Sequence, residues 1–244
     1  MDLSVRLFAV LRERAGTEEL HLTGLPGALS VGELKREIAS RHPALGDLSS
    51  VAGVVNECYV SDATALSEGD RVALLPPVSG GQRGQGRSGR ADGPAGDYAR
   101  GVFEISAAAL DPGALQARVA DPACGAVVTF TGTTRARNRG QDVVRLDYEA
   151  FLEMAGPEMA RIFAECRTTF GSPGDPERAL RMLCVHRVGT VEVGEPSVVI
   201  AVASPHRDRA FRAARFLIDT LKERLPVWKK EVYADGHHWI GDRS

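Results

Sequence analysis

Between Gln82 and Arg100 the chain carries one large apolar side chain, Tyr98, among glycines, arginines, glutamines, alanines, aspartates, a serine and a proline. A segment of that composition cannot bury enough surface to offset the entropy of ordering it, and it reads as a flexible linker. It therefore forbids one continuous core. Residues 1–81 and 101–244 must each fold around a core of their own, in keeping with 244 residues at roughly 150 per domain. The 43% hydrophobic content is enough for both. Gly80-Gly81 sits at the lip of the linker, after the apolar run "VALLPPV". A turn there would need a return strand, and none follows.

The first domain reads as a sheet with one helix. Leu3, Val5 and Leu7 alternate with Ser4 and Arg6, the pattern of a half-buried strand. "EELHL" is a second strand. Ser30-Val31-Gly32-Glu33 matches a capping box, and Leu34 and Ile38 continue the apolar side of a helix. "VAGVVNECYV" and "DRVALLPPV" are read as one strand each, separated by Ser67-Glu68-Gly69-Asp70. Strand, strand, helix, strand, strand is the β-grasp order.

The second domain is α+β. Asp111-Pro112 is an N-cap followed by proline at the first helical position. "GAVVTFTG" and "DVVRLDYEAF" are strands, and a helix follows from about Glu158 to Phe170. "LRMLCVHRVG" and "SVVIAVAS" are strands again. Ala210, Phe211, Ala214, Phe216, Leu217, Ile218, Leu221 and Leu225 recur at helical spacing, Pro226 stops that helix, and "VWKKEVY" is a closing strand.

Charge narrows the function. Residues 1–81 hold 7 basic and 11 acidic side chains (−4), residues 82–100 hold 4 and 2 (+2), and residues 101–244 hold 19 of each. A chain with net charge −2 is not a general electrostatic binder of nucleic acid. The linker arginines lack the aromatic interleaving that would make an RNA-binding segment. Cys58, Cys124, Cys166 and Cys184 show no C-x-x-C spacing, so no zinc site is expected, and they read as buried thiols in a reducing compartment. "MDLSVRLFAV" is no signal peptide, and no stretch approaches the ~20 apolar residues of a membrane span. A cytoplasmic protein is expected.

The basic groups of the second domain fall at element ends: Arg135, Arg137 and Arg139 after "FTG", His186-Arg187 at a strand end, His206-Arg207 before the long helix, Lys222 near its end, and Lys229-Lys230 after Pro226. Each alone has a plain explanation as solvated surface, helix cap or dipole partner. Together they outline a pocket for an anionic substrate, since arginine grips phosphate through a fork and a desolvated lysine serves as acid, base or nucleophile.

"VVTFTGTTRARNRG", "VHRVG", "SPHRDRAFRAARFLIDTLKERLPVWKKE" and "HHWIG" resemble the large, catalytic subunit of molybdopterin synthases over nearly all of residues 101–244. "RLFAVLRERAG" and "GDRVALLPPVSGG" resemble that enzyme's ubiquitin-like small subunit over residues 1–81. The chain thus looks like a natural fusion of the two: a β-grasp domain ending in Gly-Gly (1–81), a flexible linker (82–100), and a catalytic domain of α/β hammerhead type (101–244). The resemblance implies a sulfur transfer from a thiocarboxylate on the last glycine to cyclic pyranopterin monophosphate, giving the dithiolene of molybdopterin. It implies Lys222 and Lys229 as catalytic residues, Phe130, Arg135, His206 and Arg207 as pocket residues, and Arg243 as a substrate arginine from a neighbouring subunit of a homodimer. Gly80 and Gly81 would be the tail that enters the pocket, where the lack of Cβ atoms suits a narrow channel. No tightly bound cofactor and no metal are implied; an adenylating, sulfurating activating enzyme is.

One departure bears on all of this. Gly81 is joined to Gln82 by a peptide bond. An amide carbonyl is no substrate for adenylation, so the carrier half needs a processing protease. Two other readings stand beside the sulfurtransferase: a non-catalytic fusion whose uncut Gly-Gly domain plugs the pocket, and an RNA binder using the linker and the Arg135–Arg139 loop.

Overall fold

Alternating apolar residues start the first sheet as expected: β1 (Leu3–Leu7) buries Leu3, Val5 and Leu7. The computed structural model describes residues 1–77, 97–172 and 174–240. They divide into two units, one built from residues 1–77 with 239–240 and the other from residues 97–238. Gly80, Gly81, most of the expected linker and Arg243 lie outside the described residues.

In the first unit β1 is followed by α1 (Val10–Ala15), β2 (Glu19–Leu22), β3 (Leu29–Ser30), α2 (Val31–Arg41), β4 (Ala52–Val55), β5 (Cys58–Val60), β6 (Ala65–Leu66) and β7 (Val72–Leu75). Five strands form one sheet in the order β2-β1-β7-β4-β5, with β1 parallel to β7 and antiparallel to β2. Leu34 and Ile38 of α2 pack onto Val5, Leu7 and Leu74. The capping box is present as read: Ser30 Oγ accepts from the Glu33 N–H at 3.3 Å, and the Glu33 carboxylate accepts from the Ser30 N–H at 2.8 Å. Two local features differ from the sequence reading. The short helix α1 was not expected; Gly16 ends it at φ +68°. "VAGVVNECYV" is a hairpin rather than one strand, because Asn56 and Glu57 both take left-handed φ (+50° and +65°). That pair makes the tight turn that matches sheet twist, but Glu57 occupies the position where glycine normally announces it.

The second unit runs β8 (Val102–Ser106), α3 (Pro112–Val119), β9 (Ala126–Thr133), β10 (Arg137–Asn138), β11 (Gln141–Ala150), α4 (Leu152–Phe170), β12 (Arg181–Arg187), β13 (Gly189–Glu192), β14 (Pro196–Ser204), α5 (Arg207–Arg224), β15 (Val227–Tyr233) and β16 (Gly236–Ile240). A four-stranded sheet, β8-β12-β14-β9, is covered on both faces. Val198, Ile200 and Val202 of β14 face α4 and α5 with Met159, Ile162, Phe163 and Leu217. Val199, Ala201 and Ala203 face the other way, toward Val119 of α3. Two buried faces explain why this strand reads as an unbroken apolar run. A second sheet orders β10-β11-β15-β16, with β13 pairing on β11.

Caps again match the sequence. Asp111 accepts from the N–H groups of Gly113 and Ala114 at the start of α3. Helix α4 begins at Leu152, earlier than expected; Pro157 sits inside it, in the second turn, where it gives up one i→i−4 hydrogen bond. Tyr98, which the sequence reading left in the linker, belongs to this unit. It packs against the cluster that includes Leu110, Val119 and Leu183, and its ring centroid lies 5.9 Å from the Arg118 and 5.3 Å from the Arg181 guanidinium. Gly101 follows at φ +96°, and a Cβ there would stand 2.3 Å from the Phe163 ring. Among the described residues no helix is long and apolar enough to cross a membrane.

Candidate active site

The connection from β14 to α5 is two residues long, so α5 starts at the Ser204 end of the strand and runs back over the sheet. That path sorts the basic residues into two groups. His206 and Arg207 stand at the start of α5, both exposed. Lys222 lies exposed in its last turn. Fifteen residues of helix at 1.5 Å each separate Arg207 from Lys222 by about 22 Å along the axis. The nine-residue β14 gives a second ruler. Thr133 at the end of β9 pairs with Pro196, so Arg135 lies beyond that end of β14. His206 follows its other end, about 27 Å away at 3.4 Å per residue.

Lys229 belongs with the first end. It is the third residue of β15 and faces Tyr148 of β11 across the ladder. The Tyr148 ring meets His186 edge-on at 5.2 Å, and its hydroxyl bonds to Ser197. Both contacts lie at the Pro196 end of the sheet, where His186 pairs with Val198. Phe130 sits in the middle of β9, half-buried against the α4–α5 core. Thus the structure gathers Arg135, Lys229 and, by the direction of α5, Lys222 at one end. It does not bring His206 and Arg207 of the same chain to them, which corrects the single-pocket reading.

At the Lys229 end the polar groups are wired together. Lys229 Nζ contacts Glu231 Oε1 at 2.9 Å. Asn138 Nδ2 donates to Glu231 Oε2 at 2.6 Å, and the Tyr233 hydroxyl donates to the same oxygen at 2.5 Å. Arg135 Nη2 donates to Asn138 Oδ1 at 3.3 Å. Glu231 is only 3% exposed. Burial alone would raise its pKa, yet the bonds from Tyr233, Lys229 and Asn138 outweigh it and hold the carboxyl below its usual range. His186, counted among the basic groups by sequence, is no cation: burial pushes it down to about 4. Arg187 is paired with Glu195 at 2.7 Å, and Arg137 with Asp142 at 2.9 Å.

The other end is looser. His206 makes no side-chain cap; its Nε2 meets Glu177 Oε2 at 2.9 Å, with both side chains more than 60% exposed. Arg209 donates to the Glu177 carbonyl.

Sequence reasoning missed Asn138, Glu231 and Tyr233. The signal was alternation: Lys229, Glu231 and Tyr233 are every second residue of one strand and share a face. Arg243 and Gly80-Gly81 lie outside the described residues. No group of three or more His, Cys, Asp or Glu side chains suited to a metal exists among the described residues.

Comparison with known families matches residues 105–224 to the MoaE protein family and residues 5–81 to the ThiS family. The molybdopterin synthase catalytic subunit of Bacillus subtilis is 38% identical over 141 residues, which are 58% of this chain and 85% of that one. The chain belongs to the MoaE family. The Homo sapiens catalytic subunit is 37% identical over 148 residues, 61% of this chain and 75% of that protein. The solved molybdopterin synthase of Staphylococcus aureus is 36% identical and superposes with a TM-score of 0.52, covering 57% of this chain and 97% of that one. A ThiS domain and a MoaE domain thus occupy one chain, which is an enzyme of molybdenum cofactor synthesis. The ThiS match ends on Gly81.

Proposed function

We propose that the chain is a sulfurtransferase which moves sulfur from a thiocarboxylate on Gly81 to cyclic pyranopterin monophosphate, producing the molybdopterin dithiolene. The carrying observation is the polar chain Arg135–Asn138–Glu231–Lys229, built at the end of the MoaE domain toward which Lys222 runs. Arg135 offers a guanidinium to the substrate phosphate, and Phe130 an apolar wall. Lys222 and Lys229 are the catalytic amines. His206 and Arg207 are about 22 Å along α5 from Lys222, so they serve this site only from a second copy of the chain. We therefore read the enzyme as a homodimer through its MoaE domains, with His206, Arg207 and Arg243 contributed across the interface. Sulfur travels on the glycine tail, and no resident cofactor is invoked.

The tail must first be freed. Adenylation needs a carboxylate at Gly81, and the sequence has a Gly81–Gln82 amide there. The residues that follow are polar and glycine-rich, a composition proteases accept. A protease cuts after Gly81, and an activating enzyme then adenylates and sulfurates the tail. That same amide favours a second reading, in which the uncut domain plugs the pocket. Intact mass of the protein from its own cells separates the two. The sulfurtransferase reading expects a fraction cut between Gly81 and Gln82, the released domain carrying a sulfur-for-oxygen mass increase. An uncleavable, proline-containing junction at positions 81 and 82 should fold normally and abolish activity in the cell. Full molybdoenzyme activity from a demonstrably uncut chain, with no separate small subunit encoded, would overturn it.

A further inference from the structure

We propose that Asn138 is a positioning residue that couples the anion-binding loop to the lysine-bearing strand. It is 93 residues from Glu231 in sequence, yet it is the piece that joins them. Asn138 ends β10, with its backbone paired to Gln141 across the turn formed by Arg139 and Gly140, both at left-handed φ (+48° and +86°). The hairpin thereby fixes the direction of its side chain, which is half-buried. Its two amide ends do different work. Nδ2 donates to Glu231 at 2.6 Å, and Oδ1 accepts from Arg135 at 3.3 Å. Glu231 in turn holds Lys229 at 2.9 Å.

Few side chains of this size suit that place. Aspartate keeps the acceptor for Arg135 but sets a second carboxylate against the buried Glu231. Leucine serves neither partner. The amide donates to an anion on one side and accepts from a cation on the other, so two cations are held in one register without touching each other. The role rests on the reading of Arg135 as anion-binding and Lys229 as catalytic.

The two ends of the amide can be cut separately. The full chain is assayed with cyclic pyranopterin monophosphate and a thiocarboxylated residue 1–81 fragment as sulfur donor. Asn138→Asp should lower kcat at least tenfold while KM stays within about threefold, because Arg135 keeps its partner and Lys229 loses its fixed one; a charge-assisted hydrogen bond is of that order. Asn138→Ala should change both constants. Adding Glu231→Gln to Asn138→Asp restores a donor–acceptor pair of reversed direction, and should recover most of the melting temperature and at least part of kcat. Should Asn138→Asp alone fail to fold, recovery of folding in the double variant carries the test. Wild-type kcat in Asn138→Asp, or a double variant no better than the single one by either readout, overturns the proposal. Absence of turnover by the wild-type chain would instead count against the sulfurtransferase reading, and the melting-temperature cycle would still judge the contact.

Discussion

Basic residues just beyond the two ends of α5 stand in opposite states. Past its C-terminal end, Lys229 of β15 is 22% exposed and tied through Glu231, Asn138 and Tyr233 to the loop of Arg135. At its N-terminal end His206 and Arg207 stand in solvent, and Glu177, which pairs with His206, is 77% exposed. A network anchored on a buried carboxylate fixes geometry before a substrate arrives, the condition for stabilising developing charge. Exposed side chains on a helix end fix little by themselves; they are suited to being presented to something that docks. The difference fits the proposed homodimer, in which one protomer builds the lysine half of a site and displays the other half to its partner.

The largest expected effect is at the wired end. Lys222→Ala should leave the melting temperature nearly unchanged, since Lys222 is exposed and off the buried stripe of α5. It should cut molybdopterin formation by orders of magnitude with thiocarboxylated donor supplied, and Lys229→Ala should act in the same direction. Turnover near wild type would remove Lys222 from the chemistry. At the displayed end the effect is smaller. Arg207→Ala deletes a charge-assisted contact of about 1.5–3 kcal/mol, or roughly 10- to 150-fold in substrate affinity. Calorimetry should show that loss with dimerisation unchanged. Hybrid dimers of Lys222→Ala and Arg207→Ala protomers should regain activity, because one of their two sites is intact. No recovery in proven hybrids would break the comparison.

The wired end also carries a pH signature. His186 is buried under Tyr148, and its pKa falls from 6.5 to about 4 because burial disfavours its charged form. The unfolded chain takes up the proton first. This contribution is therefore complete above pH 6.5 and is lost as pH falls toward 4. A shift of that size corresponds to about 3 kcal/mol. Denaturant melts of wild type and His186→Gln should converge as pH drops from 7 to 4; parallel curves would show that His186 does not titrate differently on folding.

Much of this fold is legible in the sequence. Ser30 with Glu33, Asp111 with Pro112, the apolar run of β14 and the periodicity of α5 all signal through neighbours in sequence, and each local rule agreed with the fold. What stayed hidden depends on register or direction. Asn138 meets Glu231 only because β10, β11 and β15 pair side by side. The separation of Arg207 from Lys222 is arithmetic on an 18-residue helix, but placing Arg135 at the Lys222 end required knowing which end of β14 its strand pairs with. His186 looked like one more cation because burial is invisible in "VHRVG".

The smallest effect sharpens the comparison most directly, because it sets one carboxylate against another. Glu231 and Glu177 each face a basic side chain at 2.9 Å. Contact distance alone would rank them equal; solvent does not. Around His206 and Glu177 water screens the attraction, and two mobile side chains must be held still to make it, so an exposed pair is worth about 0–1 kcal/mol. Around Glu231 water is excluded, and Gln leaves the Asn138 and Tyr233 donors competing for a neutral oxygen, a loss of about 1–3 kcal/mol. Glu177→Gln should therefore change unfolding free energy by no more than about 0.5 kcal/mol, and Glu231→Gln by several times that. Because His206 is read as a substrate group presented to the partner, Glu177→Gln should still be visible in KM while leaving kcat alone. Equal destabilisation by the two substitutions would mean that the ends of α5 do not differ as their burial says, and that the exposed end is structural rather than displayed.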